Sequence, residues 1–127
     1  MVNFPSISFP GNCDEAITYY KEALGAEVKA IVHNTDESLP PNFVVYSEVL
    51  LFGTPVMMTD GAESKMSCSN FSFTLSLSTE EEVISVFNKL ADGGEVVEAL
   101  GAELYGHLMG CVNDRFGITW TVSIYFE

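Results

Sequence analysis

The sequence predicts an α+β fold in which two βαβββ modules pair into one cup-shaped mixed sheet with the helices outside. Three observations support this: the chain has 127 residues, each half carries one amphipathic helical segment between strand-like runs, and short motifs of the first half return in the second. A chain of this length fits one ordinary domain. We therefore expect a single domain over 1–127, with repeat module 1 over 1–60 and repeat module 2 over 70–127.

The first helical segment is NCDEAITYYKEALG, which begins at Asn12. Asn12 is the expected N-cap, and Gly25 is the expected stop. Its apolar side chains recur at helical spacing, which predicts a buried stripe. The stripe consists of Ala16, Ile17, Tyr20, Ala23 and Leu24.

The second helical segment is STEEEVISVFNKLADGG. Thr79 and Glu82 have capping-box spacing, and the acidic residues between them lie at the positive end of the helix dipole. Gly93 and Gly94 are the expected stop. The predicted buried stripe consists of Val83, Ile84, Phe87 and Leu90.

Strand-like runs surround both helices in the same order. The helices are preceded by the runs NFPSISFPG and NFSFTLSLS. After each helix, a Glu-Val pair begins an extended segment, at Glu27 and at Glu95. NFVVYSEVLLFG and TPVMMTD complete the first half, and YGHLMGCVNDRFG and ITWTVSIYFE complete the second. The Phe-Gly pairs at Phe52 and Phe116 are therefore predicted to be the turns before the last strand of two equivalent modules.

Composition and charge restrict the partners. Hydrophobic residues make up 47% of the chain and charged residues 18%, which is typical of a folded domain. The 18 acidic residues outnumber the 5 basic ones, and the net charge of −13 opposes binding to a phosphate backbone. Nucleic acid is therefore excluded as a partner. An acidic surface keeps a protein soluble, and it would also favour a cationic ligand.

Targeting signals and cysteine spacing point to an intracellular protein without a disulfide framework. No apolar run approaches the ~20 residues of a membrane span, and MVNFPSISFPGN lacks the features of a secretory signal. We therefore expect no membrane partner and a cytoplasmic location. Cys13, Cys68 and Cys111 have no C-x-x-C spacing, which favours buried or idle thiols over a disulfide framework or a zinc knuckle.

Three separated motifs carry a resemblance to a known superfamily: FPGNCDEAITYYKEALGAEV, FGTPVMMTDG and GCVNDRFGITWTV. With the paired modules, they resemble the vicinal oxygen chelate superfamily of glyoxalases, extradiol dioxygenases and bleomycin-resistance proteins, and more narrowly its PhnB-like branch. The resemblance runs nearly end to end and implies a glyoxalase-like fold, but no particular activity. Some members carry a demethylubiquinone methyltransferase label, yet no Gly-rich loop follows a strand here to hold a nucleotide cofactor.

The resemblance also implies a divalent metal held by one His, Glu or Gln from each of four strands. The equivalent positions lie near Pro5, Met57, Ser72 and Thr121. Imidazole nitrogen and carboxylate oxygen are the ligands that such a cation needs. Neither these four residues nor their direct neighbours include His, Asp, Glu, Gln or Cys. We therefore expect no metal at the usual place and no cofactor.

Strand alternation predicts a groove that suits a small organic molecule instead. In the second module, the alternate Phe and Leu side chains are expected to rest on the second helix and the hydroxyls to face the groove. In the first module, Pro5, Ile7 and Phe9 are expected to line the groove with Met57 beside them. The predicted ligand-pocket residues are Tyr46, Met57, Ser72, Thr74, Tyr105, His107 and Thr121.

His107 is the candidate catalytic residue, as a general base or a ligand contact, although a lone His is more often structural. Tyr46 and Glu48 alternate on the third strand and are expected to share a side. Cys68 would need a lowered pKa to be reactive, and only Lys65 is near it in sequence.

The other titratable side chains are expected to have structural roles. His33 ends a strand and is expected at the surface. Asp60 and Asp114 lie beside glycine-containing turns and are expected to be turn or cap residues.

Two function classes remain. The first is a protein that binds a small organic molecule without metal, acting as a homodimer on the basis of the resemblance and of exposed sheet edges. The second is a lyase, isomerase or oxygenase-type enzyme of the same superfamily with a non-standard or metal-free site. Such a site would use His107, Glu103, Tyr46 or Glu48. The missing metal ligands favour the binding class, and the identity of the ligand stays open.

Overall fold

The computed structural model describes residues 5–34, 37–63, 71–104 and 107–124, without the side chains of 102–104 and 107. The chain divides into two compact units, Met1–Lys65 and Met66–Glu127. In the described residues, each unit contains one helix and one four-stranded sheet in the order βαβββ, which confirms the predicted order of elements. Within the described ranges, no helix has the length and hydropathy needed to cross a membrane.

The first unit forms a mixed sheet with strand order β1-β4-β3-β2. The first and fourth strands are parallel, and the other pairs are antiparallel. Its elements are β1 (Ser6–Phe9), α1 (Cys13–Leu24), β2 (Glu27–His33), β3 (Val44–Leu51) and β4 (Thr54–Asp60).

The second unit repeats this topology with strand order β5-β8-β7-β6 and a parallel pair β5-β8. Its elements are β5 (Phe73–Leu77), α2 (Glu80–Ala91), β6 (Glu95–Leu104), β7 (His107–Asn113) and β8 (Thr119–Ile124). The pair Phe52-Gly53 immediately precedes β4, and the pair Phe116-Gly117 lies in the turn before β8. Both positions agree with the prediction from the repeated motif. In the first pair, both Phe52 (φ 51°) and Gly53 (φ 86°) adopt the left-handed conformation that a two-residue hairpin turn requires.

Helix α1 buries the whole predicted stripe, together with Cys13 and Tyr19. It ends in an αL motif, in which Gly25 at φ 66° donates its N–H to Lys21 O, and Ala26 N–H donates to Tyr20 O. Asn12 occupies the N-cap position, but its side chain makes no capping hydrogen bond. The Asp60 carboxylate caps the helix instead, because its Oδ1 accepts from the Cys13 N–H at 2.9 Å.

Helix α2 begins as predicted, since the Glu82 N–H donates to Thr79 Oγ1 at 3.1 Å. Val83, Phe87 and Leu90 are buried, but Ile84 is 45% exposed and does not belong to the stripe. Ile84 lies about 100° around the helix from Val83. The face that this helix buries is therefore narrower than the sequence pattern indicated.

Each sheet has a helix face, which packs against the helix of its own unit, and a far face on the opposite side. In the first unit, β3 and β4 contact α1, and in the second all four strands contact α2. Alternate strand residues supply the buried apolar side chains of the helix faces. They include Ile7, Phe9, Val49, Val56 and Met58 in the first unit and Leu75, Leu77, Val112, Trp120 and Val122 in the second.

Asp114 organises the connection between β7 and β8. Its Oδ1 accepts from the N–H groups of Phe116 at 2.8 Å and Ile118 at 3.1 Å, and its Oδ2 accepts from Trp120 Nε1 at 2.8 Å. Asp114 is buried, so the predicted turn role is confirmed. The neighbouring Arg115 donates through Nη2 to the carbonyl oxygen of Asp92 at the end of α2, at 2.9 Å.

The hydrogen bonds of Asp114 should carry much of the stability of the second unit. Asp114→Asn removes the negative charge and one acceptor, so we expect the free energy of unfolding to fall by about 2–4 kcal/mol. Urea unfolding followed by circular dichroism measures the change.

Asp92→Asn is the matched control, because the Asp92 side chain is 81% exposed and its ion pair with Arg115 is long at 3.4 Å. That variant should lose less than about 1 kcal/mol. Equal losses in the two variants would contradict the assigned role of Asp114.

Candidate functional site

The far face of the first sheet is defined by strand register. Met57 pairs with Ser6 on β1 and with Glu48 on β3, and Glu48 pairs with Ala30 on β2. Directly paired residues lie on the same face, as do residues two apart on one strand, which adds Tyr46 to this group. The complete far face contains Ser6, Ser8, Glu27, Ala30, Val32, Tyr46, Glu48, Leu50, Pro55, Met57 and Thr59.

This surface is mainly apolar and aromatic, with hydroxyls at one edge. Tyr46 is 36% exposed and Val32 is 48% exposed, whereas Met57 and Glu48 are partly buried. In the part of the chain that the structure describes, no hydrogen bond or ion pair engages the Glu48 carboxylate. The face therefore offers a ring, a thioether and two carboxylates, of which Glu27 is exposed and Glu48 is partly buried.

The expected lining of the first module is wrong in part. Ile7 and Phe9 are 3% and 2% exposed and lie on the helix face, opposite to Met57. The reason is register: Met57 pairs with Ser6, so Ser6 and Ser8 share its face. Pro5 lies one residue before β1, where its carbonyl oxygen accepts from the Met57 N–H at 2.9 Å.

The far face of the second sheet carries the hydroxyls that the sequence pattern predicted. Thr74, Thr121 and Cys111 lie side by side across β5, β8 and β7. The Thr119 hydroxyl donates to Asn113 Oδ1 at 2.6 Å at the end of the same face. The described side chains on this far face are those of Thr74, Ser76, Glu95, Glu98, Met109, Cys111, Asn113, Thr119, Thr121 and Ser123.

The structure describes the other predicted pocket residues only in part. Ser72 is exposed and lies immediately before β5. His107 begins β7, where its backbone pairs with Leu104, but its side chain lies outside the described part. Tyr105, Cys68 and the Glu103 side chain also lie outside it. A ligand-binding role for these residues stays a prediction.

His33 has a partner that sequence reasoning missed. It is exposed at the end of β2, as expected, and its Nε2 lies 2.9 Å from Asp14 Oδ1 and 3.0 Å from Asp14 Oδ2 in the first turn of α1. The two residues are far apart in sequence, so no local pattern could indicate the pair. It joins the end of β2 to α1 on the side away from the far face.

The described side chains of the far faces lack the donor set of a metal site. Across the described ranges, no three or more His, Cys, Asp or Glu side chains are grouped closely enough to hold a metal ion. Of the four positions implied by the superfamily resemblance, Met57 and Thr121 lie on far faces, and both offer weak ligands to a hard cation. The described side chains therefore do not fit such an ion.

The two described cysteines differ in environment. Cys13 is fully buried at the start of α1. Burial raises the pKa of its thiol to about 12, and the nearby carboxylates of Asp60 and Asp14 add to this rise. Cys111 is a free thiol, partly exposed on the far face, with the Thr121 Oγ1 at 4.0 Å from its sulfur.

Comparison with known proteins places the chain in a family. The family model described as 3-demethylubiquinone-9 3-methyltransferase matches residues 2–123. Protein YjdN of Escherichia coli K12 is 30% identical over 136 residues, which cover 94% of this chain and 92% of YjdN. A putative 3-demethylubiquinone-9 3-methyltransferase, PhnB protein, from Bacillus cereus superposes with a TM-score of 0.88 at 23% identity, over 98% of this chain and 100% of that chain.

A more distant structure confirms the glyoxalase-like fold. The fosfomycin resistance protein FosX from Listeria monocytogenes superposes with a TM-score of 0.74 at 13% identity, over 99% of this chain and 94% of that chain. This likeness concerns the fold alone.

The contrast between the cysteines gives a direct test of the far face. At about pH 8, iodoacetamide should modify Cys111 in the native protein but leave Cys13 unmodified, because a thiol with a pKa of about 12 is almost wholly protonated there and is also buried. Peptide mass spectrometry identifies each modified residue. In denaturant both cysteines should react. Rapid modification of Cys13 in the native state would contradict the burial described above.

Proposed function

The chain belongs to the 3-demethylubiquinone-9 3-methyltransferase family, a PhnB-like branch of the vicinal oxygen chelate superfamily, and we propose that it binds small organic molecules on the far faces of its sheets without the metal that is usual in that superfamily. One observation carries the proposal. The far faces present hydroxyl, thioether, thiol and aromatic groups, while the described residues provide no grouped metal ligands. Such surfaces suit organic compounds with an apolar body better than bare metal ions.

The proposal does not include the methyl transfer named in the family description. Methyl transfer from a nucleotide cofactor needs a binding element for that cofactor, and the sequence has no Gly-rich loop between a strand and a helix. The motif DRFGITW also has a structural explanation, because Asp114 holds the loop before β8 and Arg115 contacts the end of α2.

An enzyme with a metal-free site is the alternative, and one observation favours it. Glu48 is a partly buried carboxylate without a described partner, beside Tyr46 on the same strand. A carboxylate in such a position can act as a general base. Turnover of a bound compound that is lost in Glu48→Gln, with binding retained, would favour this alternative over simple binding.

We also propose that the protein is a homodimer. The strands β2 and β6 lie at sheet edges, and Val32, Val96 and Val97 on them are about half exposed. Unpaired edges with apolar side chains favour association with a second chain.

The dimer proposal predicts a specific response to charge at the β6 edge. Val97→Lys should convert the protein to a monomer, because a buried unpaired ammonium opposes association. Ile84→Lys on α2 is the matched control, since Ile84 is also an exposed aliphatic residue, and it should leave the dimer intact. Sedimentation velocity at micromolar concentration distinguishes the two states. A monomeric unmodified protein would remove the proposal.

Metal analysis and ligand screening test the proposed function together. Protein purified without chelator should contain well below one equivalent of Zn, Ni, Mn or Fe per chain. Small aromatic amines, alcohols and acids should include compounds that raise the melting temperature, because a ligand at ten times its Kd stabilises the native state by about 1.4 kcal/mol.

Two lysine substitutions locate the binding surface. Thr74→Lys should abolish the melting-temperature shift for compounds that bind the second far face, whereas Ser85→Lys on the exposed side of α2 should not. Thr74 and Ser85 are both exposed, so neither substitution is expected to unfold the protein. A stoichiometric bound metal, or no shift across a broad library, would contradict the proposal.

A further inference from the structure

Glu48 lies in the middle of the first far face, surrounded by apolar neighbours. Its direct pairing partners are Met57 on one side and Ala30 on the other. Tyr46 precedes it on the same face, and Val32 is paired with Tyr46. Side chains in these positions lie about 4.5–7 Å apart, which is within contact distance of one small molecule.

The Glu48 carboxylate has no described counter-charge. It is partly buried, and none of the described residues forms a hydrogen bond or ion pair with it. Basic side chains lie mostly elsewhere: Lys21 in the last turn of α1, Lys89 in the last turn of α2, and Arg115 against the end of α2. Lys29 is exposed at the irregular pairing of β2 and forms no ion pair with Glu48.

An ionised carboxylate that is partly removed from water among apolar groups is stabilised by a positive charge from outside. The other carboxylate on this face, Glu27, is exposed at the start of the edge strand, where water solvates it. Glu48 is therefore the carboxylate at which a bound cation gains most. The net charge of −13 also attracts cations to the protein at long range.

We propose that the first far face binds organic ammonium compounds. The Glu48 carboxylate accepts hydrogen bonds from the ammonium group, and the ring of Tyr46 adds a cation–π contact. Met57 and Val32 contact the organic part of the molecule. This inference rests on the proposed function and names the ligand class of one of its two surfaces.

Other charged ligands fit this surface less well. A divalent metal ion needs several oxygen or nitrogen ligands. In the described ranges, Glu48 does not belong to a group of three or more His, Cys, Asp or Glu side chains that could hold such an ion. An anion would meet Glu48 with no basic side chain directly paired to it. An ammonium group on an apolar body satisfies both the charge and the apolar surroundings.

The test uses benzylamine, benzyl alcohol and benzoate, which share a ring and differ in charge. Isothermal titration of each probe against the unmodified protein should show the tightest binding for benzylamine and the weakest for benzoate. Glu48→Gln should lower the affinity for benzylamine by about fivefold or more and leave that for benzyl alcohol unchanged. Tyr46→Leu should also weaken benzylamine selectively, because it keeps apolar contact but removes the ring.

Glu22→Gln is the matched control, since it removes the same charge from the exposed side of α1. It should change benzylamine affinity by less than about twofold, because exposed charges are screened by solvent. Unchanged melting temperatures would show that the Glu48 and Tyr46 variants fold.

Each contrary result has a distinct meaning. Equal losses in Glu48→Gln and Glu22→Gln would overturn the inference, because long-range charge alone would then explain the preference. Equal binding of the three probes would overturn the inference and leave the proposed function standing. Absence of binding for every probe, and for the wider library of organic compounds, would overturn both.

Discussion

Every feature of the candidate site depends on one constraint: in the described residues, each four-stranded sheet packs against a single helix of its own unit. The alternation of side chains along a strand sends every second residue to the helix and the others away from it. The helix face is completed by Leu, Val, Ile and Phe side chains that are almost fully buried. The far face is free to carry Thr, Ser, Met, Tyr and Glu, since the packing of its own unit does not require it to be apolar.

The motifs that relate this chain to its family serve the fold first. Asp114 accepts from two backbone N–H groups in the loop before β8 and from the Trp120 indole in β8. Asp60 accepts from the N–H groups of Cys13 and Val44 at 2.9 Å each. Both aspartates are buried, so their loss would leave several backbone donors unpaired. Strong motif similarity therefore transfers the architecture to this chain without transferring a reaction.

Local patterns predicted the elements well, and they failed where distant residues decide. The spacing of Ile17 and Tyr20, and the Thr79 cap, depend on neighbours a few positions away, and the structure confirms them. The assignment of Ile7 to the groove failed because one residue of register moves a side chain to the opposite face. Asp60, and not Asn12, caps α1 through a contact between residues far apart in sequence. The apolar surroundings of Glu48 are formed by three strands together. Neither feature could be predicted from local sequence.

The central claim is that organic molecules bind the far faces through protein side chains without a protein-held ion. A crystal structure with the tightest compound from the screen tests it most directly. The account predicts that the compound contacts far-face residues such as Met57 or Thr121. A compound held through a metal ion bound by imidazole nitrogen or carboxylate oxygen, or one that contacts only the helices, would contradict it.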